Sequence, residues 1–291
     1  MEDFHVRGAV VAGSRRAVVW DTLARPAHME GVAELARDLP LTVVYTHGDW
    51  DHVWGTAGLT RPWAEILAHE ACGARFAGEL QATLAERRVS SPGEYDNVVL
   101  IPPTRTFRGA VTLDLGGITL ELHPLPGHTP DTVVGFVPEW GVLLAGDAVE
   151  TPLPFLNPGS PAESWMASLE AWARKLDGWA RDLERRTLGP EGHPGAGGRH
   201  PLVIPSHGPV GGTELLRRNA RYLRKLLSGE EPELSPDLSP FYLQTHEANR
   251  TLALEEGRRR TPGTVGSAPL QEPGPTGGSH PAPGRKDEPC P

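Results

Sequence analysis

The sequence predicts an α/β fold in which strands and amphipathic helices share one folded unit. Short apolar runs alternate with helical stretches in the first third of the chain, the middle is rich in strands, and two long segments with helical periodicity follow. Of the 291 residues, 34 are Gly and 30 are Pro, and fourteen of these fall within 261–291. A segment of that composition cannot bury enough apolar area to offset its conformational entropy. We therefore expect one domain over residues 1–257 and a disordered tail over 258–291.

Turn residues and apolar spacing define the elements expected in the first third of the chain. Residues 9–12 and 17–20 are short apolar runs separated by Gly13 and Ser14, which indicates a pair of strands. The β-branched run at 41–46 is typical of a strand that is buried on both faces. The other elements expected there are a helix over 29–38, a strand over 66–68 and a helix from 70 to about 87.

Two hairpins and two long helices are expected in the remainder. Gly-Gly at 116–117 and the turn at 138–141 each separate two apolar runs, which is the pattern of a hairpin. Tryptophans at 165, 172 and 179 share one helical stripe, and such a stripe is typical of core packing. Residues 91–107 are either a mobile flap over the site or an ordinary surface connection. The expected strands are 110–115, 118–123, 132–137, 142–145 and 202–204, and the expected helices run from 162 to about 188 and over 213–227.

Charge and cysteine content exclude several classes of protein. The formal net charge is -9, and a surface of that sign repels phosphate backbones, so nucleic acid is a disfavoured partner. Two cysteines do not form a disulfide framework and fit a reducing compartment. The sequence contains neither a secretory leader pattern nor 18 consecutive apolar residues, so we expect a cytoplasmic protein that does not enter a membrane.

Residues that can bind a metal follow four of the expected strands. A strand end fixes the backbone while its side chains face a cleft, which suits a metal centre. Imidazole and carboxylate groups together suit Zn, Mn or Fe, and the absence of thiolates from these positions favours a catalytic over a structural centre. The candidates, in chain order, are His47, Asp49, Asp51, His52, His128, Asp147 and His207.

The segments that hold these residues read THGDWDH, PGHTPD, LLAGD and PSHGPV. Their order resembles that of the metallo-β-lactamase-fold hydrolase superfamily, which has HxHxDH, a His in a PGHT turn, an Asp in a GD turn and a His in a GHG-like turn. The resemblance spans about residues 10–227 and is strongest to small hydrolases related to glyoxalase II and lactonases. It implies a four-layer αβ/βα sandwich, with two mixed β-sheets packed face to face and helices on the outer faces.

The resemblance also implies two divalent metal ions, with zinc expected first. It assigns the first ion to His47, Asp49 and His128, the second to Asp51, His52 and His207, and the bridge to Asp147. Asp49 stands where the family has a second His, and a carboxylate there favours Mn or Fe relative to an imidazole. Asp51 is expected to be catalytic, because it is placed to orient the attacking water or to take up its proton.

The function expected from these residues is metal-dependent hydrolysis of a small ester, thioester or lactone. Two alternatives stay open: a phosphodiesterase or nuclease on the same fold, and a non-catalytic regulator that binds metal. The expected partner is a small-molecule substrate, without nucleic acid or membrane, and a homodimer is one option for the assembly.

Several neighbouring residues have two interpretations each. Asp21 either supports the metal loop or forms a strand-end turn, and Asp131 either starts a turn or contacts substrate. The arginines at 217, 221 and 224 form a solvated helix face or bind an anionic group of the substrate. The remaining histidines considered are expected to be structural or solvent-exposed rather than ligands: His69, His123, His193 and His200.

Overall fold

The structure is a computed structural model that describes residues 5–36, 38–187 and 200–260. The expected tail from residue 261 onward and His193 lie outside these ranges. Within them, two five-stranded sheets pack face to face, with helices against their outer faces. This is the four-layer sandwich that the resemblance implied.

The first sheet contains the strands of the first third of the chain in sequential order. β1 (Ala9–Ala12) pairs antiparallel with β2 (Ala17–Trp20), and β2 continues in parallel through β3 (Leu41–Val44), β4 (Trp63–His69) and β5 (Arg105–Phe107). Every residue of β2 and β3 is buried, because both faces of these central strands are covered. The carboxyl end of β3 therefore lies deep at one edge of the sandwich.

The second sheet has the strand order β10-β9-β8-β7-β6. Its strands β6 (Val111–Asp114), β7 (Thr119–Pro124), β8 (Val133–Val137) and β9 (Val142–Gly146) form an antiparallel meander. β10 (Leu202–Pro205) adds to β9 in parallel. Both sheets are therefore mixed, as expected.

Seven helices, two of them single turns, flank the sheets in the described part of the chain. The bounds are α1 Val32–Leu35, α2 Trp50–Val53, α3 Glu70–Arg75, α4 Glu79–Ser90, α5 Ala162–Thr187, α6 Thr213–Ser228 and α7 Pro240–Arg260. No helix among the described residues is long and apolar enough to span a membrane.

Three apolar clusters hold the layers together. One lies between the sheets and includes Trp20, Val44, Leu67 and Leu122; a second lies under α1 to α4, and a third under α5 and α6. The tryptophan stripe of α5 belongs to the third cluster, in which Trp165 is fully buried. The expectation of core packing for that stripe is confirmed.

Several expected element bounds are wrong, for local reasons. The helix expected over 70–87 is two helices, because the chain leaves helical geometry at Gly78, whose φ is -170°. The helix expected over 29–38 is reduced to α1, preceded by a short 3-10 turn over Pro26–Met29. The segment 91–107 packs as a connection, since Tyr95 and Val98 are buried and its end forms β5. α7 was not predicted.

Candidate metal centre

The seven candidate ligands meet at one edge of the sandwich. The loop after β3 and the single turn α2 present His47, Asp49, Asp51 and His52, and the loops after β7, β9 and β10 present His128, Asp147 and His207. α2 is one turn long, and its Asp51 and His52 are buried; Asp49 stands at the N-cap position without a side-chain capping hydrogen bond. Because the loops come from both sheets, this centre exists only when the sheets are packed together.

The first donor group consists of His47, Asp49 and His128. Asp49 Oδ2 lies 3.4 Å from His47 Nε2 and 3.2 Å from His128 Nε2. The imidazole rings are buried, and their centroids are 5.0 Å apart with the planes nearly perpendicular. One oxygen and two nitrogens therefore converge on one point.

The second donor group consists of Asp51, His52 and His207. Asp51 Oδ2 lies 3.7 Å from His52 Nε2 and 3.3 Å from His207 Nε2. Asp147 Oδ2 lies between the groups, 3.3 Å from His52 Nε2, 3.4 Å from His207 Nε2, 3.7 Å from His47 Nε2 and 3.8 Å from His128 Nε2. Asp147 thus has the position of a bridge.

The donor atoms fit divalent metal ions. Among the described residues, His47 Nε2, His52 Nε2 and Asp147 Oδ1 are buried without a hydrogen-bond partner, and an unsatisfied buried polar atom is costly. Donor atoms about 2.0–2.1 Å from a tetrahedral ion lie roughly 3.3–3.4 Å from one another. The observed separations bracket that value, and within each group the donor atoms lie within 4.8 Å of one another.

Each ligand imidazole is held through its other nitrogen. His52 Nδ1 lies 2.8 Å from Asp21 Oδ2, His47 Nδ1 lies 2.9 Å from Thr46 Oγ1, and backbone carbonyls of Phe155 and His5 lie 3.0 Å and 2.8 Å from Nδ1 of His128 and His207. Such partners fix the tautomer and turn Nε2 toward the point where the donor atoms converge. Of the two interpretations of Asp21, the contacts favour support of the metal loop.

The electrostatics of the centre are dominated by neighbouring opposite charges. Burial lowers the pKa of His128 and His207, but adjacent carboxylates offset this and raise the pKa to about 10 for His128 and about 11 for His207. Burial raises the pKa of Asp49 and Asp147, but the imidazoles around them bring it well below the usual range. Without an ion, protons on His128 and His207 balance the charge of the neighbouring carboxylates.

A cavity of about 300 Å³ opens above the donors. Trp50, Phe155 and Phe241 supply aromatic walls, and the guanidinium of Arg87 lies 3.8 Å from the centre of a Trp50 ring. Glu150 also lines this cavity; burial, followed by the charge of Asp147, raises its pKa to about 8. No motif around Arg87, Glu150, Phe155 or Phe241 marks these residues in the sequence.

Asp49 has a partner that the sequence did not indicate. Arg75 of α3 donates from Nη2 to Asp49 Oδ1 at 2.6 Å, and its Nη1 lies 3.2 Å from Asp131 Oδ1. Asp131 is fully buried and its Oδ2 accepts a hydrogen bond from Gly48 N at 2.7 Å. Asp131 therefore holds the loop after β3 through Gly48, and it does not line the cavity.

The other residues considered lie away from the donors. His69 accepts from Ala71 N at 3.3 Å and caps α3, His123 pairs with Glu121 at 3.1 Å, and His200 is exposed. The arginines of α6 do not line the cavity: Arg217 pairs with Asp177 and Arg224 pairs with Glu170, both on α5. The suggestion that this stripe binds a substrate anion in the metal cleft is therefore not supported, because none of its arginines lines the cavity and two of them pair with α5.

Comparisons with known proteins agree with this architecture. The model of the metallo-beta-lactamase superfamily matches residues 6–178. A hydroxyacylglutathione hydrolase of Anaeromyxobacter dehalogenans is 31% identical over 112 residues, which are 38% of this chain and 33% of that protein. A probable metallo-hydrolase of Mycobacterium tuberculosis is 36% identical over 90 residues, 30% of this chain and 29% of that protein. The chain thus spans about a third of the length of these curated relatives.

Solved structures show the same fold. A metallo-beta-lactamase from Pontibacter korlensis has a TM-score of 0.53 and 21% identity, covering 75% of this chain and 87% of that one. The metallo-beta-lactamase FIM-1 from Pseudomonas aeruginosa, in its mono-zinc form, has a TM-score of 0.50 and 21% identity, covering 76% and 84%. At this identity the likeness concerns the fold.

Proposed function

The chain belongs to the metallo-beta-lactamase superfamily, and from this premise we propose that it is a hydrolase that uses two divalent metal ions, zinc first, on a small ester, thioester or lactone. The observation that carries the proposal is the convergence of seven donors at one edge of the sandwich. Five of them line the cavity, and the other two, His47 and His52, have buried Nε2 atoms without a hydrogen-bond partner. We expect it to work in the cytoplasm, since its described cysteine, Cys72, is a buried free thiol.

In this proposal each donor group would hold one ion, and Asp147 would be the ligand that the two groups share. When bound, such ions lower the pKa of a water molecule toward neutrality and polarise the carbonyl that it attacks. Asp51 lines the cavity, so its carboxylate can orient the water and accept its proton. Asp21 holds His52 in the tautomer that keeps Nε2 free.

The cavity supports a small acyl substrate. A volume of about 300 Å³ is at the lower end for ligand sites, and three aromatic side chains wall it. Arg87 is the only arginine or lysine that lines it among the described residues, so an anionic group on the substrate would find its partner there. The relative named hydroxyacylglutathione hydrolase favours thioesters as the first class to test.

A hydrolysis panel tests the proposal. Thioesters, lactones and phosphodiesters are offered to the protein with Zn²⁺ and with Mn²⁺, and we expect turnover of one of the first two classes. Asp147→Ala removes the bridge and should abolish turnover, whereas His200→Ala, at an exposed position, should retain it. Fewer than about 0.3 equivalents of tightly bound metal per chain, after expression with added metal, would contradict the proposal.

A further inference from the structure

The carboxylate of Asp49 is shared between two environments. Its Oδ1 accepts the 2.6 Å hydrogen bond from Arg75 Nη2, which leaves Oδ2 facing the two imidazole nitrogens of the first donor group. An Asp side chain is shorter and more freely rotating than the imidazole expected at this position of the motif. The guanidinium therefore holds the Asp49 carboxylate in the orientation that turns one oxygen toward the two imidazoles.

Arg75 also connects the two loops that carry this donor group. Its Nη1 contacts Asp131, three residues after His128, and Asp131 in turn accepts from Gly48 N beside His47. The loop after β3 and the loop after β7 are thus joined through one guanidinium and one buried carboxylate. We call Arg75, Asp49 and Asp131 the guanidinium clamp.

The position of Arg75 is itself determined by its surroundings. Its side chain is 18% exposed, and Glu79, the first residue of α4, pairs with it at 2.6 Å. A Cβ atom at residue 48 would lie 3.2–3.3 Å from three atoms of the Arg75 side chain, so Gly48 leaves the space that the arginine crosses. An isolated exposed ion pair contributes little to stability. The Arg75 guanidinium differs, because it contacts the carboxylates of Asp49, Glu79 and Asp131 and is largely buried.

We propose that Arg75 is a positioning residue that builds the first metal position, so that the two positions differ: the first depends on the clamp and the second does not. This inference rests on the proposed function. Two effects of Arg75 oppose each other, since its charge repels a nearby cation while its hydrogen bonds orient the ligand. We infer that orientation prevails, because Arg75 and Asp131 connect both loops that carry the first donor group.

The experiment is a competition titration of the full chain with Zn²⁺ against a chromophoric chelator. We expect the wild-type protein to bind two ions, and R75Q to weaken one of them about 10–100-fold while the other is unchanged. The zinc affinity of the first metal position in R75K should lie between those of the wild-type protein and R75Q, because a lysine ammonium lacks the planar donor geometry of the guanidinium. G48A, which crowds Arg75, should shift the same ion in the same direction. R108Q is the matched control, since Arg108 is an exposed arginine paired with Glu70.

A second pair of variants separates positioning from general damage. In the D49H background the ligand no longer needs the guanidinium, so adding R75Q should leave the affinity of the first ion unchanged. If R75Q alone fails to fold because Asp131 is left buried without its cation, R75Q/D131N removes both charges and should show the same selective loss.

The outcomes distinguish the two proposals. Three results would overturn the proposed role of Arg75 while leaving the metal centre intact: tighter zinc binding in R75Q, equal loss of affinity for both ions, or no change in either affinity. A wild-type protein that binds no zinc would overturn the proposed function and the clamp together.

Discussion

Replacing Asp21 by Asn removes the support of His52, a ligand of the second metal position in the proposed function. The two oxygens of Asp21 accept three hydrogen bonds, from Thr46 N at 2.8 Å, Thr46 Oγ1 at 2.9 Å and His52 Nδ1 at 2.8 Å, and the residue is 1% exposed. Asn keeps the shape, but its amide nitrogen cannot accept, so at least one donor is left facing another donor. A hydrogen bond to a charged group contributes about 1.5–3 kcal/mol and a buried unsatisfied donor costs about 1–3 kcal/mol. Since these figures overlap, we expect the free energy of unfolding to fall by about 2–4 kcal/mol.

The assay has two readouts. Urea unfolding in the presence of EDTA, followed by tryptophan fluorescence, measures the loss in the metal-free protein. Zinc competition then measures the second ion, which we expect to bind about 10–100-fold more weakly because His52 loses its orienting partner. Asp114→Asn, at an exposed position, is the matched control and should move neither readout. A loss below about 0.5 kcal/mol together with unchanged zinc affinity would refute the role of Asp21.

Three further predictions concern the packing of Gly127, the protons on His128 and His207, and Arg87 in the lining of the cavity. Gly127→Ala places a methyl group 2.4 Å from the indole of Trp165 and should lower the free energy of unfolding, measured by thermal denaturation, by about 1–3 kcal/mol. Gly109→Ala, where a methyl group would have nothing within 4 Å, should leave that free energy unchanged. The folded-state pKa is about 10 for His128 and about 11 for His207, against an ordinary value of 6.5. The imidazolium–carboxylate pairs therefore stabilise the metal-free protein fully below pH 6.5, and this stabilisation is lost as the pH rises through 10. Zinc must displace these protons, so calorimetry in two buffers should show proton release at pH 7 and affinity that rises with pH; pH-independent affinity would contradict this. Arg87→Ala should raise KM about tenfold for anionic substrates and leave kcat unchanged, and an equal effect on neutral substrates would exclude charge recognition.

Elements governed by local turn chemistry were predictable from the sequence. β1 and β2 have the predicted bounds, and the hairpin between β6 and β7 turns at Gly116 and Gly117, both with positive φ. These turns depend on residues a few positions apart, and glycine at positive φ is decisive there. The break at Gly78 and the short strand β5 were missed, because neighbouring residues favour either outcome and tertiary packing selects one.

The candidate ligands were predictable because their spacing is local. Within the HGDWDH segment, a single turn of helix places Asp51 and His52 beside His47, and the sequence shows that spacing directly. The meeting of this segment with the loops that hold Asp147 and His207 was implied by resemblance, and its distances come only from the packed sheets.

The sequence by itself determined the α/β class, the order of most elements and the identity of the seven candidate ligands, since periodicity, turn residues and motif spacing act over short distances. Only the tertiary structure decided which arginine serves the centre. Arg75 meets Asp49 across 26 residues and Asp131 across 56, while Arg217 and Arg224 of α6 pair with α5 instead. A side chain's partner depends on which face of its helix is packed and against what, and that is a property of the assembled layers rather than of the local sequence.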